Sequence, residues 1–350
     1  MKLLFLFFVL TLSACSSEEH IVFKSGEHQL SGVYLPPTGG KTGKAVLLFV
    51  HGDGEMPHDA YGYYPLLWDQ LRAQGYAIMS WDKPGVGQSS GNWLEQSMAD
   101  RQAEVLDAIQ WVQSRYGFTA RQTGLVGFSQ AGWVLPSLAV DHPTQFGFMV
   151  GIGFATNWIE QSRYYTRIKH TEAGATEAQI QAALRAYDDE IALLLQAPSY
   201  ADYLQTMGDQ GMPADRYHFV LKNLQSDASQ DYPLIHTPTL FLWGEDDLNV
   251  DARLEFERKQ RASNPFVSTR LIASGNHGLL DSSYFPRQRM DTGDLLKLHW
   301  LGESALAPDA VPTLIHWLNQ QAQQMPHSPW LSLLKTDRPY HAPIAATLGL

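Results

Sequence analysis

At 350 residues, 44% of them hydrophobic, the chain is long enough to bury a sizeable core in one large α/β domain, or in a domain with an inserted cap. Its formal net charge of −11, with no Lys/Arg run, argues against nucleic acid as a partner. Cys15 is the lone cysteine, so no disulfide forms within the chain and stability must come from packing.

Residues 1–14 pair a basic start with an apolar run that is too short to cross a bilayer, which takes roughly 20 residues. They read as a cleaved secretory signal. The following Leu12-Ser13-Ala14-Cys15 resembles the lipobox of bacterial lipoproteins. That resemblance implies a lipid anchor (palmitate among its acyl groups) on Cys15 and a place in the bacterial cell envelope. With Ser16 next, the periplasmic side of the outer membrane is the expected address. Secretion to the periplasm without an anchor is the alternative.

Ile21 to Phe23 and Gln29 to Leu35, split by Gly26-Glu-His28, read as an opening β-hairpin. Ala45 to Val50 is a continuous apolar run, the pattern of a strand buried on both faces of a mainly parallel sheet. Another strand follows at Tyr76 to Trp81. Ser97-Met-Ala-Asp100 predicts a capped helix whose apolar face takes Val105, Ala108, Ile109, Val112 and Tyr116. Leu125-Val126 and Phe146 to Ile152 continue the alternation, with a helix through Leu135 to Val140 between them. This rhythm implies a doubly wound α/β sheet over 20–153 and 236–323. Residues 154–235 change to helical pattern, too long for a connection, and are expected to form an inserted helical cap. Strands at Thr239 to Trp243 and Phe266 to Ile272, then a helix near Ala310 to Gln321, close the fold. The stretch 278–308 is a long excursion without a clear role, and the tail 324–350 has no assignment.

The chemistry centres on Thr123-Gly-Leu-Val-Gly-Phe-Ser129-Gln-Ala-Gly132. An apolar strand runs into Gly127, Ser129 follows, and a helix is expected to start near Gln130. This is the pattern of a nucleophile elbow, in which small neighbours permit a strained serine at a strand-to-helix turn. Ala131 departs mildly from the usual G-x-S-x-G. The helix start would aim free N–H groups and its positive end toward an oxyanion. A nucleophilic serine also needs a base and a group that orients the base. Trp243-Gly-Glu-Asp-Asp247 and Gly275-Asn-His277-Gly follow successive strands in the required order.

These segments together make the chain similar to the α/β-hydrolase family, over nearly its whole mature length. The resemblance implies Ser129 as nucleophile, His277 as base and Asp247 as orienting acid, with Asp246 as the other candidate. His51-Gly-Asp-Gly54 resembles the family's oxyanion loop, which implies the backbone N–H groups of Asp53 and Gln130 as donors. The Asp53 side chain is expected to turn away and bond the loop after it. Asp82-Lys-Pro-Gly-Val-Gly-Gln-Ser89 resembles the family's glycine turn rather than a phosphate cradle. Trp158, Tyr164 and Tyr165 are candidates to line the substrate pocket, or else cap core.

The implied function is hydrolysis of a small-molecule carboxylic ester through an acyl-enzyme, by a membrane-anchored protein without cofactor. Peptide, thioester and lactone substrates share the same triad, and a non-catalytic binding lipoprotein is the reading from another class. An exopeptidase would want cap carboxylates for a substrate amine, and Asp188, Asp189 and Glu190 are available. No metal is expected, since His51, Asp53, His58 and Asp59 match no standard ligand spacing.

Overall fold

The computed structural model describes residues 18–40 and 43–323. The signal segment, Cys15 and the tail 324–350 therefore lie outside the described residues. Eight strands form one sheet in the order β1-β2-β4-β3-β5-β6-β7-β8. β1 (Glu19–Ser25) and β2 (His28–Leu35) make the expected hairpin, and β2 runs antiparallel to β4 (Tyr76–Trp81). The other pairings are parallel, through β3 (Ala45–Val50), β5 (Thr123–Phe128), β6 (Phe148–Ile152), β7 (Thr239–Gly244) and β8 (Val267–Ile272). β3 through β7 are buried along their whole length, which is why their sequences are continuous apolar runs rather than alternating ones.

Side-chain alternation divides the core in two. Val46, Leu48 and Val50 of β3 face the layer of α2 (Met98–Tyr116), α3 (Leu135–Asp141) and α8 (Ala252–Ala262). Leu47 and Phe49 face α1 (Pro65–Ala73) and α10 (Ala310–Gln323). α2 starts with the capping box read from the sequence: Ser97 Oγ accepts from the Asp100 N–H at 3.1 Å and Asp100 accepts from the Ser97 N–H at 2.7 Å.

From β3 the chain moves outward to β4, then returns past β3 to β5. The sheet therefore reverses its winding at β3, and a crevice opens where β3 and β5 end side by side at Val50 and Gly127. Between β6 and β7 come α4 (Trp158–Glu172), α5 (Glu177–Leu194), α6 (Tyr200–Met207) and α7 (Ala214–Asn223). An isolated bridge between Asn157 and Asp227 ties the start of this segment to its end. α7 is fixed to the approach of α2, with the Asn223 amide donating to the Gln96 carbonyl and accepting from the Met98 N–H. The 278–308 excursion holds α9 (Thr292–Leu301), which packs Leu298 inward and leaves Leu296 and Trp300 exposed. No described helix is long and apolar enough to cross a membrane.

Candidate active site

β5 delivers Ser129 with φ +49, the left-handed region that costs a non-glycine residue about 1–3 kcal/mol unless its surroundings hold it there. They do. A Cβ at Gly127 would lie 2.6 Å from Leu135 and 3.0 Å from the Ala131 methyl, so the turn closes only with glycine at that position. The α-helix expected near Gln130 is corrected. Ser129–Trp133 form a 3-10 turn, and α3 begins at Leu135, with Pro136 in its first turn. The segment that follows the strand is therefore a short 3-10 turn rather than the first turn of an α-helix.

The loops after β7 and β8 bring Asp247 and His277 together, with Nδ1 of the imidazole 2.8 Å from Asp247 Oδ2. Asp247 is buried, and its other oxygen accepts the N–H groups of Asn249 at 2.8 Å and Val250 at 2.9 Å. Burial disfavours charge on His277, but the adjacent Asp247 outweighs it and raises the imidazole pKa above the usual value. With Nδ1 occupied by the carboxylate, Nε2 is the basic nitrogen. Asp246, the other acidic candidate, turns elsewhere and accepts the Ser282 hydroxyl at 2.7 Å. Gly153, at φ +65 after β6, leaves room for the ring: a Cβ there would sit 2.8 Å from His277 Cε1. Asn276 Oδ1 accepts the Gly278 and Leu280 N–H groups at 3.0 Å, and the Tyr63 hydroxyl donates to the Gly278 carbonyl at 2.5 Å. These bonds set the loop that carries His277. Ser129 and His277 line the same cavity of about 460 Å³, with no direct hydrogen bond between them in this conformation.

The loop after β3 rests on a buried network. Lys83 Nζ donates to the carbonyls of Gly52 at 2.5 Å and Gly54 at 3.0 Å. Arg101, buried on α2, donates to the His51 carbonyl at 2.5 Å and to Gln130 Oε1 at 2.7 Å, joining the β3 loop to the elbow. Because carbonyl and N–H of one trans peptide point in opposite directions, the Lys83 grip on Gly52 aims the Asp53 N–H away from Lys83. His51 is structural. Burial, reinforced by Lys83 and Arg101, pushes its pKa down to about 3 against the pull of the Trp81 carbonyl. The neutral ring donates from Nε2 to Trp81 O at 2.5 Å and accepts the Tyr64 hydroxyl on Nδ1 at 3.1 Å. His58 pairs instead with Asp82 at 2.8 Å, and the described residues hold no cluster of three metal-ligating side chains.

Asp53 corrects a second expectation. Its main partners are not in the following loop: Arg216 of α7 binds both oxygens, at 3.1 and 2.8 Å, and the Gln130 amide donates to Oδ1 at 3.0 Å. Desolvation works against its charge, yet the Arg216 guanidinium holds the carboxyl below its usual pKa. Trp158 and Tyr165 line the cavity with Gln161 and Ser162, one face of α4 at helical spacing. Tyr164 does not line it, which corrects that candidate. It points off this face and donates to the Asp247 carbonyl at 3.0 Å. Asp188 pairs with Arg163 and Glu190 accepts from Tyr203, both outside the cavity wall. A second cavity of about 330 Å³ adjoins the first across Tyr63, His277 and Gly278, and is lined by Leu280, Met290, Leu295 and Leu298 of the excursion.

Sequence reading missed Lys83, Arg101 and Arg216 of this surround, and Arg289, which also lines the cavity that holds Ser129. Arg101 left a trace, as a charge on the apolar stripe of α2 between Met98 and Val105. Arg216 left none, since its partner is 163 residues away.

No curated protein matches the chain in sequence. Among solved structures it is similar to an esterase of Pyrococcus furiosus, at 13% identity and TM-score 0.53, over 87% of this chain and 91% of that one. A proline iminopeptidase of Mycobacterium smegmatis aligns at 14% identity and TM-score 0.56, over 87% and 99%. Est1E of Butyrivibrio proteoclasticus, solved with ferulic acid bound, aligns at 12% identity and TM-score 0.52, over 85% and 99%. These likenesses are of fold. A family model described as serine aminopeptidase, S33, matches residues 41–282. The chain is thus an α/β-hydrolase and belongs to that family.

Proposed function

We propose that this hydrolase is a serine carboxylesterase. The observation that carries the reading is one cavity holding the strained Ser129 and the Asp247-paired His277, while its lone carboxylate among the described residues, Asp53, is already bound by Arg216. An aminopeptidase must hold the ammonium of its substrate with acidic groups, and this cavity has none to spare. In the proposed reaction Ser129 Oγ attacks the ester carbonyl and gives its proton to His277 Nε2. Asp247 stabilises the imidazolium, and the Asp53 and Gln130 N–H groups receive the oxyanion. His277 then protonates the leaving alcohol, and water, deprotonated by the same ring, releases the acid. The alcohol departs on the His277 side, toward the apolar second cavity.

The test is turnover of p-nitrophenyl esters of graded acyl length, of aminoacyl p-nitroanilides and of acyl thioesters by one preparation. Esters are expected to lead by at least ~10²-fold in kcat/KM, a difference the shared triad alone does not give. Faster turnover of the anilides or thioesters would replace the reading.

The Asp53–Arg216 pair gives a sharper expectation. Arg216→Ala leaves a carboxylate unpaired next to the forming oxyanion, and kcat is expected to fall about tenfold. Adding Asp53→Asn removes the opposing charge and is expected to restore most of the loss. A double variant as slow as Arg216→Ala would show that the arginine acts otherwise, through the packing of α7.

A further inference from the structure

We propose that Arg289 selects substrates carrying an anionic group, a carboxylate above all, on the part of the ester that occupies the larger cavity. This deepens the carboxylesterase reading and rests on it. The cavity that holds Ser129 is lined by two arginines, Arg216 and Arg289, and by one acidic residue, Asp53. Arg216 is spent on Asp53 through both oxygens, so that pair is neutral as a unit. Arg289 meets no carboxylate among the described residues. Its Nε donates to the Tyr165 hydroxyl at 2.5 Å, and its guanidinium carbon lies 5.7 Å from the centre of the Tyr165 ring.

Tyr165 thus holds the exposed Arg289 side chain by one nitrogen, and the terminal nitrogens meet no partner among the described residues. The two terminal nitrogens form an edge that can take a carboxylate end-on by two parallel hydrogen bonds. Arg287, two residues earlier, makes a useful contrast. It is bridged to Asp291 at 2.8 Å and Asp294 at 2.6 Å, so unpaired arginine is not a general property of this loop. The chain as a whole carries −11, and its long-range field repels anions. A positive cavity in that setting acts by contact rather than by steering. The 278–308 excursion thereby gains a purpose, since it supplies both Arg289 and the apolar wall of the adjoining cavity.

The experiment compares p-nitrophenyl half-esters of dicarboxylic acids, from succinate to suberate, with their methyl-capped neutral partners. A second arm places the carboxylate on the leaving group, with 4-carboxyphenyl against phenyl butyrate. The ratio of anionic to neutral kcat/KM is measured for the wild type and for Arg289→Gln, with the melting temperature of each as a check on folding. At the chain length that reaches the guanidinium, the wild type is expected to favour the anionic ester roughly tenfold, mainly through KM. The ratio is expected to collapse in Arg289→Gln. A flat ratio in both arms at every length, or an anionic preference that survives Arg289→Gln, overturns the proposal while the esterase reading stands. If no ester is turned over, the esterase reading fails instead. The role of Arg289 is then decided by calorimetric titration of adipate and suberate: binding that Arg289→Gln abolishes supports it, and no binding, or equal binding, ends it.

Discussion

Ser129→Ala is expected to lower ester kcat by roughly 10⁵-fold or more, with a melting temperature at or above that of the wild type. The size follows from the proposed acyl-enzyme route. Without Oγ no covalent intermediate forms, and what survives is the attraction of the oxyanion donors for a transition state that water must reach unaided. The stability follows from the backbone. Ser129 sits at φ +49, and the elbow is held by the packing of Gly127, Ala131 and Leu135 rather than by any bond from the hydroxyl. Ser129→Gly sharpens the point: it should be equally inactive, yet more stable by about 1 kcal/mol, because glycine enters that region without strain. Kinetics with p-nitrophenyl butyrate and a thermal melt check both halves. An alanine variant retaining a hundredth of the activity would exclude Ser129 as nucleophile.

The sheet was legible because burial on two faces forces long apolar runs, and Ala45 to Val50, Tyr76 to Trp81 and Thr239 to Trp243 have no competing reading. The elbow was legible for a similar reason: so tight a turn admits few residue types. What depends on relative placement was not. The start of α3 turned on Pro136, which sits in the first turn of the true helix, while the residues before it take a 3-10 path. Tyr164 and Tyr165 are adjacent in sequence, and only the docking of α4 decides that one meets the cavity and the other the Asp247 carbonyl. α9 escaped notice because its apolar residues do not share a face: Leu298 is buried, and Leu296 and Trp300 are exposed. Its Asp291–Asp294 capping box was the readable sign. The arginines around Asp53 and Tyr165 come from segments distant in the chain, and local pattern carries no record of such pairings.

The choice between Asp246 and Asp247 was also open in the sequence, and it gives the second large effect. Asp247→Asn is expected to cost roughly 10⁴-fold in kcat, because an amide facing Nδ1 favours the tautomer with its proton on Nε2, where Ser129 needs a base. Asp246→Asn should stay within about threefold of the wild type, since Asp246 accepts the Ser282 hydroxyl and does not touch His277. A pH profile separates lost orientation from lost charge. In the wild type Asp247 raises the His277 pKa despite burial, so the neutral ring, the form the proposed mechanism needs as base, predominates only above the usual histidine value. Removing the carboxylate charge leaves burial unopposed, and burial lowers the pKa. The acid limb of kcat/KM is therefore expected to move to lower pH in Asp247→Asn, even as the plateau falls. The linkage has the opposite sign for folding: the ion pair contributes stability below the unfolded histidine pKa, and that contribution fades as pH rises through the folded one. The wild type should accordingly lose more of its stability advantage over Asp247→Asn on going alkaline than on going from pH 6 to 5. An acid limb that stayed in place would mean that Asp247 orients the ring without tuning it.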